Sequence, residues 1–320
     1  MKKTNKQRIA SAVAAVCAIA FCLPILSISA SATPVESNIE VGDDTSVASA
    51  RSTVQNDTQQ SRFALPSGAF RMNLNVNGRS VLSGRVFNLD GVTYVPMFKF
   101  ADWLGVFTYS NSKSGGVITG TVEGKNLEIN ATEGNLYISA NGRYFYTGGE
   151  VLVVGGEIYV PIRPLVKALN CYVDYSSAQN SFIVRSGDTS LLKHDWQVYN
   201  PTDVYWLARI ISAEARGESL KGKMAVGNVV LNRMRSSQFP NTIKDVIFDT
   251  KYGVQFAPTT NGTIYNEPTA ESIIAAKICI EGYSLSSEIL YFFNPKYSSA
   301  TWITNNRPYA FTIQNHVFYK

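Results

Sequence analysis

Leu207-Ala208-Arg209-Ile210-Ile211-Ser212-Ala213-Glu214-Ala215-Arg216-Gly217-Glu218 is the stretch on which the C-terminal part of this chain turns. Val204, Leu207, Ile211, Glu214 and Glu218 follow one another at spacings of 3, 4, 3 and 4, which places them on one face of a helix. The apolar stripe of that face therefore ends in carboxylates. A glutamate that faces inward is either paired or placed for chemistry. Desolvation raises a carboxyl pKa, and a raised pKa suits a general acid near neutral pH. The spacing also accommodates a plain rim glutamate on a surface helix.

Working outward, Thr202 or Asp203 is placed to cap this helix, and Gly217 to end it. Ser219 can cap a second helix reaching about Arg235. The density of apolar residues between Leu220 and Met234 predicts that it is buried. Short helical signals follow over residues 242–248 and 269–281, the latter stopped by Gly282. Strand-like runs occupy residues 289–293, 309–313 and 317–319. The expected fold class is α+β, with helices first and a ribbon last.

Residues 69–187 read differently, as short β-branched and aromatic runs between Gly, Asn and Asp turns. An internal repeat runs through them. Val86-Phe87-Asn88-Leu89-Asp90-Gly91-Val92-Thr93-Tyr94-Val95-Pro96 matches Val151-Leu152-Val153-Val154-Gly155-Gly156-Glu157-Ile158-Tyr159-Val160-Pro161 at an offset of 65. Each copy predicts a hairpin turning at Asp90-Gly91 or Gly155-Gly156. A short helix then starts at the proline and a closing strand follows, giving a duplicated β-β-α-β arrangement. Residues 188–199 are a polar joint containing His194 and Trp196, and with it the last domain spans 188–320.

The N-terminus carries an address. Lys2, Lys3, Lys6 and Arg8 precede a long apolar run broken by Pro24, and Ala30-Ser31-Ala32 forms an A-x-A site. Residues 1–32 thus read as a cleaved secretory signal, with an uncleaved anchor as the rival reading. Residues 33–68, rich in Ser, Thr, Asp and Gln, read as a flexible linker. The signal holds four of the 29 basic residues and none of the 24 acidic ones, so the remainder carries 25 against 24. A net charge near +1 gives no reason to expect nucleic acid. Past the signal, the cysteines are Cys171 and Cys279, one in each half, so buried thiols are expected rather than a disulfide framework.

Several runs in the last domain are recognisable. Glu214-Ala215-Arg216-Gly217-Glu218 is followed by Gly222-Lys223-Met224-Ala225-Val226-Gly227-Asn228-Val229-Val230-Leu231-Asn232-Arg233 and Phe239-Pro240-Asn241-Thr242-Ile243. Val254-Gln255-Phe256, Tyr291-Phe292-Phe293-Asn294-Pro295 and His316-Val317-Phe318-Tyr319 complete the series. In this order they resemble the spore cortex-lytic, SleB-type, cell-wall hydrolase family over essentially all of residues 203–320. The resemblance implies a lysozyme-like fold, cleavage of peptidoglycan glycan strands as a lytic transglycosylase, and Glu214 as the catalytic acid/base. Asn315 stands where the family usually has Gly, and Asn tolerates positive φ. Ala257 stands where Ser is common. The duplicated span resembles the copper amine oxidase N-terminal-like domain, which implies a wall-binding module or a plain spacer. It holds no histidine and one cysteine, a poor donor set for copper.

The implied chemistry needs one carboxylate, whereas a two-carboxylate glycosidase needs a pair about 5 to 9 Å apart. Glu218, one turn further along the same face, is either a second carboxylate raising the pKa of Glu214 or a partner of a base such as Lys221. Candidate substrate-binding residues are Glu218, Gln255, Tyr291, Asn294, Trp302 and His316. Each has a plain structural alternative: a turn for Gln255, core packing for Tyr291 and Trp302, a terminal-ribbon role for His316. A zinc amidase or peptidase would need more ligands than two histidines and two cysteines without a His-Glu-x-x-His run supply. A cysteine peptidase would need Cys279 or Cys171 beside His316, but Cys279 lies within a helix, away from any N-terminus that would activate it. No cofactor and no metal are expected. The reading is an exported, monomeric enzyme of the cell wall or spore, with peptidoglycan as its partner and no membrane span after signal cleavage. Its alternatives are a water-using muramoyl hydrolase, an amidase, or a non-catalytic wall-binding protein.

Overall fold

The structure is a computed structural model that describes residues 63–103, 108–114, 117–124, 126–185 and 192–320. The signal and nearly all of the expected linker lie outside these residues. The β-rich module comprises, in order, β1 (Phe70–Arg71), β2 (Asn73–Val76), β3 (Arg79–Ser80), β4 (Phe87–Leu89), β5 (Val92–Pro96), α1 (Met97–Asp102), β6 (Thr108–Ser114), β7 (Val117–Gly124) and β8 (Leu127–Thr132). It continues with β9 (Tyr137–Ala140), β10 (Arg143–Tyr146), β11 (Leu152–Val154), β12 (Glu157–Pro161), α2 (Ile162–Ala168), β13 (Tyr172–Ser176) and β14 (Ser181–Arg185). The C-terminal domain follows as α3 (Asp195–Val198), α4 (Pro201–Ala215), α5 (Leu220–Arg235), α6 (Ile243–Ile247), α7 (Pro258–Asn261), α8 (Ala270–Ile280), β15 (Tyr291–Phe293), α9 (Thr301–Asn306), β16 (Tyr309–Ile313) and β17 (His316–Tyr319).

The repeat explains the centre of the module. Both hairpins turn where expected, with Asp90-Gly91 and Gly155-Gly156 all at positive φ. Their second strands then pair with each other, antiparallel, with Val95 opposite Val160 and each Pro opposite the Tyr of the other copy. One sheet, in the order β1-β4-β5-β12-β11, is thus shared by both copies. Each Tyr-Val-Pro proline is the last strand residue and the cap of the following helix, one step earlier than the expected first helical position. A second sheet is a meander, β10-β9-β8-β7-β6, and a third runs β13-β14-β2-β3, with β14 and β2 parallel. Phe63, read as part of the linker, stacks on the buried Tyr159 with ring centres 5.5 Å apart.

In the C-terminal domain, burial follows the helical period. α4 buries Leu207, Ala208, Ile210, Ile211 and Ala215 against α5 and α8. Gly227 lets these helices meet closely, since a Cβ there would lie 2.9 Å from Ile211 and 3.0 Å from the Cys279 sulfur. The buried Asn228 and Asn232 of α5 are satisfied by loop backbone. Asn228 donates to the Tyr283 carbonyl and accepts from Leu285 N–H, and Asn232 donates to the Ser286 and Ile289 carbonyls. The cap of α4 is Asn200, with Pro201 in the first turn, not Thr202 or Asp203: the Asn200 side chain accepts from Thr202 N–H at 2.9 Å. Ser219 caps α5 and Thr269 caps α8, as expected. No helix among the described residues is long and apolar enough to cross a membrane.

The module and the domain are joined by a clamp. Arg143 of β10 grips Glu281, just past α8, through two bonds of 2.6 and 2.7 Å. Tyr199 donates to the same carboxylate at 2.6 Å, and Lys167 donates to the Glu281 carbonyl at 2.8 Å. Nearby, Lys277 of α8 bonds Asp195 and the Gly142 carbonyl. Burial pushes the Glu281 pKa up, but the bonds from Arg143 and Tyr199 and the charge of Lys167 outweigh it, so the net shift is downward from 4.5. Arg143→Met leaves that buried carboxylate without its fork and should cost about 3 kcal/mol of stability at pH 7 in urea denaturation. A depressed carboxyl stabilises above its unfolded pKa, and that contribution is lost as pH falls through the folded one. The gap between variant and parent should therefore narrow on acidification below about pH 4.5.

Candidate active site

Helix α4 delivers Glu214 in its last turn, one residue before its end at Ala215. The side chain is half-buried at the wall of a cleft of about 580 Å³. Arg209, Ser212, Ala213 and Arg216 form the α4 side of this cleft. Ala257, Pro258, Asn261, Thr263 and Asn266 form the opposite wall, and Tyr297 reaches in from the loop after β15. Glu214 is the one carboxylate among the described residues lining it. Its carboxyl has no hydrogen bond or ion pair among the described residues. Burial pushes its pKa from 4.5 up to about 7. The C-terminal end of a helix, with its outward carbonyls, disfavours a negative charge and acts in the same direction.

The cleft wall is held by buried Arg209. Its guanidinium donates to the Tyr265 carbonyl at 2.9 Å, to the Asn266 carbonyl, and to Glu267 at 2.6 Å, and it lies 4.3 Å from the Tyr205 ring centre. The loop that faces Glu214 is thereby tied to the helix that carries it. Ser212 accepts from Thr269 N–H at 3.2 Å, fixing the start of α8 to the same helix. Arg216, exposed and without an ion pair among the described residues, brings an uncompensated positive charge to the cleft.

Glu218 is not one turn further along the same face. The helix ends at Ala215, and residues 216–219 form a connecting turn that carries Glu218 away from the cleft. Nor does it pair with Lys221. Its carboxylate accepts from the Asn315 side chain at 2.8 Å and lies 3.9 Å from His316 Nδ1. Asn315 therefore serves as a hydrogen-bond donor. The positive φ of this hairpin tip, 46°, belongs to Gln314. His316 is buried against Phe292 and Phe318, and burial lowers its pKa despite the opposing pull of Glu218.

The remaining sequence candidates gather elsewhere. Gln255 and Tyr291 meet around Arg233, which donates to Gln255 at 3.2 Å and to the Leu290 carbonyl at 2.7 Å. Its guanidinium lies 5.0 to 5.4 Å from the rings of Phe239, Phe256 and Tyr291. Burial brings its pKa down to about 10. Asn294 organises the turn into Tyr297, accepting from Lys296 N–H on its side chain and from Tyr297 N–H on its carbonyl. Trp302 stands exposed on α9, with Arg307 5.1 Å from its ring centre. None of Glu218, Gln255, Tyr291, Asn294, Trp302 and His316 lines the Glu214 cleft. Asn261, Thr263, Asn266 and Tyr297, which do, escaped the sequence reading. Their signal was a polar, Asn- and Thr-rich run of loop, the kind of segment that carries function on a rigid scaffold. The Cys279 thiol is buried in α8 and burial pushes its pKa up to about 12, so it is no nucleophile.

Residues 217–319 match the family described as cell wall hydrolase. The cell wall hydrolase CwlJ of Bacillus subtilis is 31% identical over 125 residues, 37% of this chain and 84% of that protein. The chain belongs to the cell wall hydrolase family. The matched span of the family begins at Gly217, three residues after Glu214. The spore cortex-lytic enzyme of Oceanobacillus iheyensis is 36% identical over 124 residues, 39% of this chain and 44% of that protein. This chain spans less than half the length of the spore cortex-lytic enzymes it matches. The solved catalytic domain of the germination-specific lytic transglycosylase SleB from Bacillus anthracis is 35% identical, covering 38% of this chain and 97% of that one, with a TM-score of 0.35. Residues 75–184 match the copper amine oxidase N-terminal domain. That span lacks histidine altogether, so its donor set does not fit copper.

Two outcomes separate the two glutamates. Glu214 has a folded pKa above its unfolded one, so the native state loses stability as pH rises from about 4.5 to 7. Glu214→Gln should therefore be more stable than the parent above pH 7, by on the order of 2–3 kcal/mol, with no gain below pH 4. Thermal melts across pH check it. Glu218→Ala should instead destabilise by about 1 kcal/mol, because the buried carboxylate loses its hydrogen bond from Asn315 and its approach to buried His316. It should leave the Glu214 titration, followed by carbon-13 NMR of the carboxyl, with its midpoint near 7.

Proposed function

We propose that this protein is an exported enzyme that cuts the glycan strand of peptidoglycan as a lytic transglycosylase, with Glu214 as its one catalytic acid/base. The observation that carries this reading is a lone, desolvated carboxyl, its pKa near 7, on the wall of an open cleft with no second carboxylate among the described lining residues. The names of its relatives, spore cortex-lytic enzymes and a germination-specific lytic transglycosylase, point the same way. So does the secretory signal read in residues 1–32. The C-terminal domain is on this reading a lysozyme-like catalytic unit, and the whole acts as a monomer without a cofactor.

At neutral pH, a carboxyl with a pKa near 7 is protonated in about half of the molecules. Glu214 gives its proton to the glycosidic oxygen as the bond from the muramic anomeric carbon to that oxygen breaks. The muramic 6-hydroxyl then attacks the same carbon, and its proton passes to the Glu214 carboxylate. The acid is regenerated, no water is consumed, and an anhydro-muramic end results. A water-using glycosidase would need a second carboxylate to activate or replace the water, and Glu218 is turned away to bind Asn315. Tyr297, 78% exposed at the cleft, offers a face for a sugar ring, and the Asn261 and Asn266 amides offer partners for acetamido groups.

Mass spectrometry of a peptidoglycan digest should find muropeptides ending in anhydro-muramic acid. Reducing muramic acid would indicate a hydrolase, and free stem peptides an amidase. Glu214→Gln should lower the rate by about 10³-fold. For the parent, kcat/KM should hold below pH 7 and fall above it, since the protonated carboxyl is the active form.

A further inference from the structure

A second hollow, of about 390 Å³, lies in the β-rich module, far from the residues of the Glu214 cleft in sequence. Arg163 at the start of α2 lines it, together with Thr147 and the β13–β14 hairpin residues Tyr175, Asn180 and Phe182. Three hydrogen-bond donors there lack partners. Arg163 is exposed, makes no ion pair among the described residues, and lies 5.9 Å from the centre of the Phe182 ring. Thr147 is 5% exposed, and its buried hydroxyl has no hydrogen-bond partner. A buried hydroxyl left unpaired is costly, and a bound ligand would remove the cost. Tyr175 donates to Asn180 Oδ1 at 2.9 Å, which fixes that amide and leaves its N–H₂ to donate.

The donors point to an anion, since no acidic side chain lines the hollow. A guanidinium can form two parallel bonds to a carboxylate, and Arg163, the one cationic side chain among the described lining residues, balances a single negative charge but only half of a doubly charged phosphate. Phe70, 56% exposed, and Tyr175, 46% exposed, supply apolar walls for the body of the ligand. The volume holds a few amino-acid residues rather than a glycan strand passing through. We propose that this hollow binds a free carboxylate of a peptidoglycan stem peptide, holding the polymer by its peptides while the adjoining domain acts on its sugars. The assignment rests on the peptidoglycan reading of the Glu214 cleft. In peptidoglycan the muramic carboxyl is already in amide linkage, so the free carboxylates belong to the stems. The Arg143–Glu281 clamp keeps this second hold at a fixed position relative to α8.

The test titrates the full chain with the free tetrapeptide stem, followed by calorimetry. Saturable binding is expected, weakened roughly tenfold or more by Arg163→Ala, and lost when the peptide carboxylates are converted to amides. Thr147→Val keeps the side-chain shape and should weaken binding less. Melting curves confirm that each variant is folded, and exposed Arg163 can be replaced without disturbing the core. No binding, unchanged binding in Arg163→Ala, or inorganic phosphate binding as tightly as the peptide would each overturn the assignment. Digestion of peptide-free glycan strands keeps the two readings apart. Arg163→Ala should digest them at the parental rate. A parent that binds the peptide but cuts no glycan would sink the cleavage reading alone.

Discussion

The site depends on how α4 is buried. Leu207, Ile210, Ile211 and Ala215 lock one side of this helix against α5 and α8, so the helix can neither slide nor turn. Glu214 then has no choice of environment. It stands in the last turn, and no base among the described residues pairs with it to keep it ionised. The same packing that stabilises the domain desolvates this one carboxyl. Arg209, on the adjacent part of the helix, uses its donors on the loop opposite and so converts a helix end into a walled cleft. An interior guanidinium left without those carbonyls would be far more costly than the loop order it imposes.

Much of this was legible in the sequence because it obeys short periods. The 3.6-residue stripe revealed α4, α5 and α8, and the Tyr-Val-Pro repeat revealed two hairpins down to their turns, though not that their second strands join in one sheet. The stripe carried Glu214 and Glu218 alike, and it was the resemblance of the motif series that implied Glu214 as the acid/base. Glu218 was misread because the period was carried through Arg216 and Gly217, where the helix has already stopped, so that it faces Asn315 and His316 across the hairpin tip. The cleft wall at residues 257–266 was illegible. Its two short helical turns have no apolar period, and their place is set by Arg209 from a distance of more than fifty positions in the chain. Gln255 and Tyr291, from separate runs of the sequence, converge on the Arg233 guanidinium and its ring of aromatics, a packing centre beside the ribbon.

The β-rich module is more than a tether in this structure. Tyr144 and Tyr146 of its meander pack against the core of the C-terminal domain, Tyr146 with its ring centre 4.3 Å from that of Tyr283. The polar half of the contact is a carboxylate shared by a guanidinium and a phenol. Such a group is costly to desolvate and forgiving of few geometries, so it fixes an orientation more than it adds affinity.

The parallel pairing of β2 with β14 has a consequence for how such proteins arise. Residues 73–76 lie alongside residues 181–184, running the same way, so the first and last strands of this sheet are neighbours and the chain meets it at one end and leaves it at the other. A unit built like that behaves as an in-line cassette: the chain passes through it from one end to the other, with a downstream domain joined at the exit. What would make a given fusion work as one body is a small invention, an arginine on one hairpin strand and a glutamate where the partner helix stops.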